Sequence, residues 1–273
     1  MRDFRAGGIV VAALVLLCSS LAFGVTTVAK DDASDAVYSP GNYHGLNGGF
    51  GFGAWQTNGF PVGGNPNLQA YVSTSTTNGG SGPDIDTAGA KAWGNNAIPG
   101  GNTFLARRSL TNDVQVGGTY AISLDTGDVD GKEFVSFGLN ANAMCQFIFD
   151  ATTASGDYTF YDTLSNTTID TGILQTFGGL RLTLTRTATS TYSFQAVRLS
   201  DLASYTYSGN YDTSIITGIR TILVSNTDGG NGPGHAMFVN SMEATMPDVP
   251  EPSALLAAGS IIGVQCLRRR MRA

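Results

Sequence analysis

GGLRLTLTRTATSTYSFQAV, residues 178–197, changes character at every step. Leu180, Leu182 and Leu184 alternate with Arg181, Thr183 and Thr185. A short polar turn at Ala188 to Ser190 follows, and then Tyr192, Phe194 and Ala196 alternate with Thr191, Ser193 and Gln195. In an extended chain successive side chains point to opposite faces, so the pattern predicts a β-hairpin with one apolar and one wet face. Shorter runs of the same kind stand at TYAISL (119–124), EFVSFGL (133–139), CQFIF (145–149), IRTILVS (219–225) and HAMFVNSMEAT (235–245). With turn residues between them, they predict an all-β chain of two antiparallel sheets packed face to face. Gly, Thr, Ser and Asn are abundant while Lys and Glu are scarce, which suits short strands and tight turns and disfavours helices.

The two ends read differently from the middle. Arg2 and Arg5 precede the apolar run GGIVVAALVLLC, and the small residues SSLAFG follow, the three parts of a secretory signal peptide over residues 1–24, with cleavage after Ala22 or Gly24. The last stretch, VPEPSALLAAGSIIGVQCLRRRMRA (249–273), joins a Pro-Glu-Pro turn to a short apolar run and an arginine cluster. About 14 uncharged residues make a helix of roughly 21 Å, against a hydrocarbon core of about 30 Å, so the run inserts only marginally. Arg268, Arg269, Arg270 and Arg272 would hold its end on the cytoplasmic side and leave the bulk of the chain outside.

Residues 25–247 remain as one domain, long enough for a single all-β core. Residues 25–248 hold 17 Asp and 2 Glu against 3 Lys and 6 Arg, a formal charge of −10. Such a surface repels phosphate, so no nucleic-acid partner is expected. Cys18 belongs to the signal and Cys266 to the tail, which leaves Cys145 without an intramolecular partner and reading as a small core hydrophobe.

The tail, carried by Val249, Pro250, Glu251, Pro252, Ser253, the apolar run and Arg268, Arg269 and Arg270, resembles the sorting signal of bacterial PEP-CTERM proteins, also labelled an ice-binding-protein C-terminal segment. The resemblance implies 248–273 as a sorting signal cut by an exosortase-type membrane protease. It also implies transient membrane insertion at both ends, and a place at the cell surface or in an exopolysaccharide or biofilm matrix. GGFGFGAWQ, DIDTAGAKAWG, VGGTYAISLDTGDVDGKEFVSFGL, the hairpin and AMFVNSMEAT together resemble concanavalin A-like sandwiches. That implies a two-sheet antiparallel jelly roll, flanked here by a signal helix and a short C-terminal hydrophobic helix.

Concanavalin A-like sandwiches include laminarinase-type glycosidases, which need two carboxylates about 5–9 Å apart. Glu133 and Glu243 are the only glutamates before Asp248, and neither stands in a Glu-x-Asp-x-x-Glu strand. Asp128 and Asp130 sit in a glycine-bounded turn where solvated carboxylates are common. His44 and His235 are far apart, and no nucleophile elbow is present. A non-catalytic protein is therefore expected, with a glycan-acting hydrolase as the alternative. For a cofactor, Asp84 and Asp86 in GPDIDTAG and Asp228 and Asn231 in NTDGGNGPG are candidate Ca²⁺ ligands, since calcium takes oxygens from glycine-rich loops. The same residues are also ordinary turn formers.

For a polysaccharide partner, Trp55 beside Gln56 and Trp93 near Asn95 are the candidate stacking rings and hydroxyl partners, with Tyr71 and Tyr211 in polar stretches. A tryptophan flanked by glycines in a sandwich is equally a core residue. Thr183, Thr185, Thr187, Thr189 and Thr191 fall on every second position, as in ice-binding arrays, but the turn divides the run, and no other segment repeats it.

Overall fold

The computed structural model describes residues 24–39, 41–58, 65–78, 85–87, 89–153, 156–176 and 178–248. The signal segment and the sorting tail, with Val249, Pro250, Glu251, Pro252, Ser253, Arg268, Arg269 and Arg270, lie outside the described residues, as does Asp84. Among those described, no helix is long and apolar enough to cross a membrane.

The chain is an all-β jelly-roll sandwich built on one compact unit, Thr27–Met246. One sheet runs, in spatial order, β13 (Ser204–Asn210), β12 (Thr191–Arg198), β11 (Leu180–Arg186), β6 (Thr119–Asp125), β15 (Met237–Pro247), β4 (Ala92–Ala97) and β3 (Leu68–Ser73), with β1 (Val25–Asp31) also paired to β15. The other runs β10 (Thr167–Leu174), β9 (Asp157–Asp162), β8 (Asn142–Asp150), β7 (Lys132–Leu139), β14 (Thr221–Thr227), β5 (Thr103–Ser109) and β2 (Gln56–Thr57).

The hairpin forms as its alternation requires. Leu184 faces Phe194 and Thr185 faces Ser193 across β11 and β12, while Leu180, Leu182, Leu184, Tyr192, Phe194 and Ala196 are all fully buried. Their partners on the opposite sheet alternate in the same way: Phe137 on β7, Phe147 and Cys145 on β8, and Phe160 on β9 are buried. Phe194 joins the layers, its ring centroid 4.8 Å from Phe160, 5.8 Å from Phe147 and 6.1 Å from Phe137. Phe194→Ala should therefore lower unfolding free energy by about 3–5 kcal/mol, measured by urea titration. A loss under 1 kcal/mol would mean that the two layers do not meet through this ring.

β4 shows where alternation stops being a guide. All six residues of AWGNNA are buried, Asn95 and Asn96 included, because this strand has side chains covered on both faces.

Candidate functional site

The two tryptophans proposed as sugar platforms are core residues, which corrects that expectation. Both are fully buried, in an aromatic chain that runs Tyr38, Trp93, Trp55, Tyr43 with centroid separations of 5.4, 5.1 and 5.1 Å. What they enclose is a charge. On β5 the inward residues are Phe104, Ala106 and then Arg108, so an arginine occupies the apolar phase of the strand and is fully buried. Its guanidinium carbon lies 5.3 Å from the Trp55 ring, 6.0 Å from Trp93 and 5.0 Å from Phe52, within cation–π range.

Arg108 Nη1 pairs with Asp31 Oδ2 at 2.6 Å and donates to Tyr38 Oη at 2.6 Å. Its Nη2 donates to Asn47 Oδ1 and to the Gly48 carbonyl. A guanidinium so deep survives only because ion pair, hydrogen bonds and π faces replace its water. Asn95 is also buried; its Oδ1 accepts from the Tyr43 hydroxyl and its Nδ2 donates to the Met237 carbonyl. Three of the four glycan candidates, Trp55, Trp93 and Asn95, are thus unreachable by a ligand. Tyr71 is half-buried against Phe238 at 5.8 Å, and Tyr211 is buried.

The proposed calcium ligands have other work. Asp228 Oδ1 accepts three successive backbone N–H groups, from Gly100 at 3.0 Å and from Gly101 and Asn102 at 2.9 Å, which ties the 98–102 turn to the end of β14. Asp86 Oδ1 accepts from the Ser75 N–H at 2.8 Å, and its Oδ2 accepts from the Thr74 hydroxyl. Asn231 is exposed on its loop. Among the described residues no three His, Cys, Asp or Glu side chains gather where one ion could reach them. Asp86 and Asp228 thus act as turn acceptors, and neither is joined by two further acidic or histidine side chains among the described residues.

The two glutamates are far apart in chemistry as well as in sequence. Glu133 faces inward on β7, fully buried; its Oε1 accepts from Asn226 Nδ2 at 2.7 Å and its Oε2 has no partner among the described residues. Burial pushes its carboxyl well above the usual range, and Asp125 pushes it further. Glu243 lies on the outer face of the opposite sheet, so the pair cannot straddle one bond.

The remaining candidate, Gln56, is exposed and belongs to a larger arrangement that its neighbours in sequence do not reveal. Strand pairing aligns it with Arg107, and onward across the outer face with Leu223, Ser136, Gln146, Tyr161 and Thr168. One row thus crosses all seven strands of the sheet, about 29 Å at roughly 4.8 Å per strand. Gln56, Gln146, Tyr161 and Thr168 can exchange hydrogen bonds beside the charged Arg107, Leu223 offers an apolar step, and Ser136 is buried between its neighbours.

At the β2 end the row deepens into a groove of 290 Å³ lined by Gln56, Asn58, Leu105, Arg107, Asn140 and Leu223, among others. Arg107 Nε donates to Gln56 Oε1 at 2.5 Å, which fixes the guanidinium over the sheet. Asn58 extends the edge: its Oδ1 accepts from the Leu105 N–H at 2.7 Å and its Nδ2 donates to the Thr103 carbonyl at 2.9 Å, as a further strand residue would. Tyr161 Oη donates to Asn166 Oδ1 at 2.8 Å, holding the far ring. Sequence reasoning reached one residue of this row because the rest are assembled by register alone.

The opposite outer face corrects the expectation about threonine. Thr245, Thr119, Thr185, Ser193 and Ser208 are directly aligned across β15, β6, β11, β12 and β13, so the hydroxyl array does repeat over several strands. The next row, Glu243, Ala121, Thr183, Gln195 and Thr206, interrupts it.

No family model matches the chain, and no curated protein matches it. Among solved structures it is similar to lectin UEA-II complexed with galactose, at 12% identity over 66% of this chain and 91% of that one, TM-score 0.41. It is similar also to peanut lectin with a 9mer peptide, at 12% identity over 70% and 96%, TM-score 0.41. Basic winged bean lectin with Tn-antigen gives 11% identity over 81% and 98%, TM-score 0.40.

Proposed function

We propose that this chain is an exported, non-catalytic β-sandwich that binds glycan on the outer face of the β2–β5–β14 sheet and serves as a structural or adhesive component of the cell envelope or exopolysaccharide matrix. The observation that carries the reading is the row of Gln56, Arg107, Gln146, Tyr161 and Thr168, interrupted by the buried Ser136, whose donors and acceptors suit a hydroxyl-bearing chain lying across the strands. Delivery to the surface rests on the signal peptide and on the Pro-Glu-Pro tail, which an exosortase-type membrane protease would recognise and cut.

The test is co-sedimentation of the full chain with insoluble polysaccharides, with released reducing sugar assayed in the supernatant. Binding without release is expected. Arg107→Ala, at an exposed position, should weaken it about tenfold, the loss of one charge-assisted hydrogen bond, with the melting temperature unchanged. Release of sugar would favour the hydrolase alternative. Binding that survives Arg107→Ala and Gln146→Ala together would remove this face from consideration.

A further inference from the structure

The outer face of the β6–β15 sheet has one irregularity with a groove beside it. β15 slips register against β6 between Asn240 and Glu243, a β-bulge. Within it Ser241 sits at φ +49°, in the left-handed region where a residue with a Cβ is strained. Asn240 holds it there from below: its Nδ2 donates to the Ile85 carbonyl at 2.9 Å and the Lys91 carbonyl at 2.7 Å, and its Oδ1 accepts from the Ala33 N–H at 2.9 Å. Strain kept in place by a fully bonded neighbour is a feature of sites that position groups for a ligand.

The groove measures 240 Å³ and is lined by Lys30, Asp32, Ser123, Arg181, Ser241 and Glu243, among others. The bulge turns the Ser241 carbonyl onto Arg181, whose Nη1 donates to it and to Ser123 Oγ at 3.3 Å. Arg181 Nη2 stands 3.8 Å from Glu243 Oε2, beyond hydrogen-bond reach. Burial draws the Arg181 guanidinium below its usual range, and Glu243 offsets only part of that. The site therefore holds a half-buried cation whose nearest carboxylate stands 3.8 Å away. Lys30 is exposed at the rim and forms no ion pair among the described residues. Glu243 Oε1 accepts from Thr27 Oγ1 at 2.9 Å, and Asp32 Oδ1 accepts from the Ser34 N–H at 2.8 Å, so each acid is fixed in place.

In a chain with nine cations between residues 25 and 248, two of them line one groove that also carries three acids and two hydroxyls, the Asp31 carboxylate being turned away to Arg108 and those of Asp32 and Glu243 remaining at the groove. A neutral sugar would leave Lys30 without a counter-charge and Arg181 with only the Glu243 carboxylate at 3.8 Å. A bare multivalent anion would lie against Asp32 and Glu243. A ring that carries one carboxylate and several hydroxyls satisfies both halves, because planar guanidinium matches carboxylate and the acids accept hydroxyl protons.

We propose that this groove binds a uronate, the carboxylate-bearing sugar unit of an acidic glycan, with Lys30 and Arg181 on its carboxylate and Asp32 and Glu243 on its hydroxyls. It lies on the sheet opposite the Gln56–Thr168 row, so either proposal can fail without the other.

The deciding experiment titrates the full chain calorimetrically with oligogalacturonate and with the same oligomer after its carboxyls have been reduced to alcohols. The uronate should bind at least about tenfold more tightly than the reduced oligomer, and less tightly as salt rises. Lys30→Gln, at an exposed position with no partner to lose, should remove roughly tenfold of the uronate affinity without moving the melting temperature. No uronate binding, equal affinity for the reduced oligomer, or full affinity in Lys30→Gln would each overturn the proposal. So would loss of uronate binding in Arg107→Ala alone, which would assign the ligand to the other sheet.

Discussion

Asp31→Ala should be among the most damaging single substitutions in this domain, costing about 3–5 kcal/mol of unfolding free energy. The loss would come from what remains rather than from what is removed. Arg108 would keep its full charge inside the cage of Phe52, Trp55 and Trp93, with Tyr38, Asn47 and Gly48 as its only polar partners. The double variant Asp31→Leu with Arg108→Met should recover most of the loss, because an apolar pair of similar bulk carries no desolvation cost. Urea melts of the wild type, the single variant and the double variant give both numbers. A single variant within 1 kcal/mol of wild type would mean that water reaches the guanidinium.

Glu133→Gln should act in the opposite direction, and its effect should depend on pH. Burial raises the folded-state pKa of Glu133, so the folded protein holds a proton there that the unfolded chain releases above the ordinary glutamate range. Stability from this site is then fully present below the unfolded pKa. It falls by about 1.4 kcal/mol per pH unit as pH rises toward the folded value. Glutamine keeps an oxygen for Asn226 Nδ2 and has nothing to ionise. The variant should match wild type near pH 4 and exceed it increasingly as pH rises above the ordinary glutamate range toward neutrality. Parallel stability curves for the two proteins over that range would refute a neutral Glu133.

How much of this was legible in the sequence varied with distance along the chain. The hairpin of β11 and β12 was readable because its partners are adjacent and period two is a local property. β4 was not, since side chains covered on both faces leave no alternation. Trp55 and Trp93 were ambiguous because their glycine neighbours look the same whether a ring is exposed or buried. Arg108 left a signal that could have been read: in TFLARRS one of the two adjacent arginines must take the phase of Phe104 and Ala106. No comparable signal announced the row from Gln56 to Thr168, because face-sharing across strands depends on register, and register is set by the folded sheet.

β15 bears on the order of events during folding. It lies inside its sheet, between β6 and β4, with β1 also paired to it, yet it is the last strand of the domain. The first strand therefore waits for a partner more than 200 positions away, and neither β6 nor β4 is complete on that side until residues 237–247 arrive. Loop closure over such separations is slow. A chain emerging from its N-terminus would stay open and extendable until nearly all of it had been made, and would gain the bulk of its resistance to proteases in one late step.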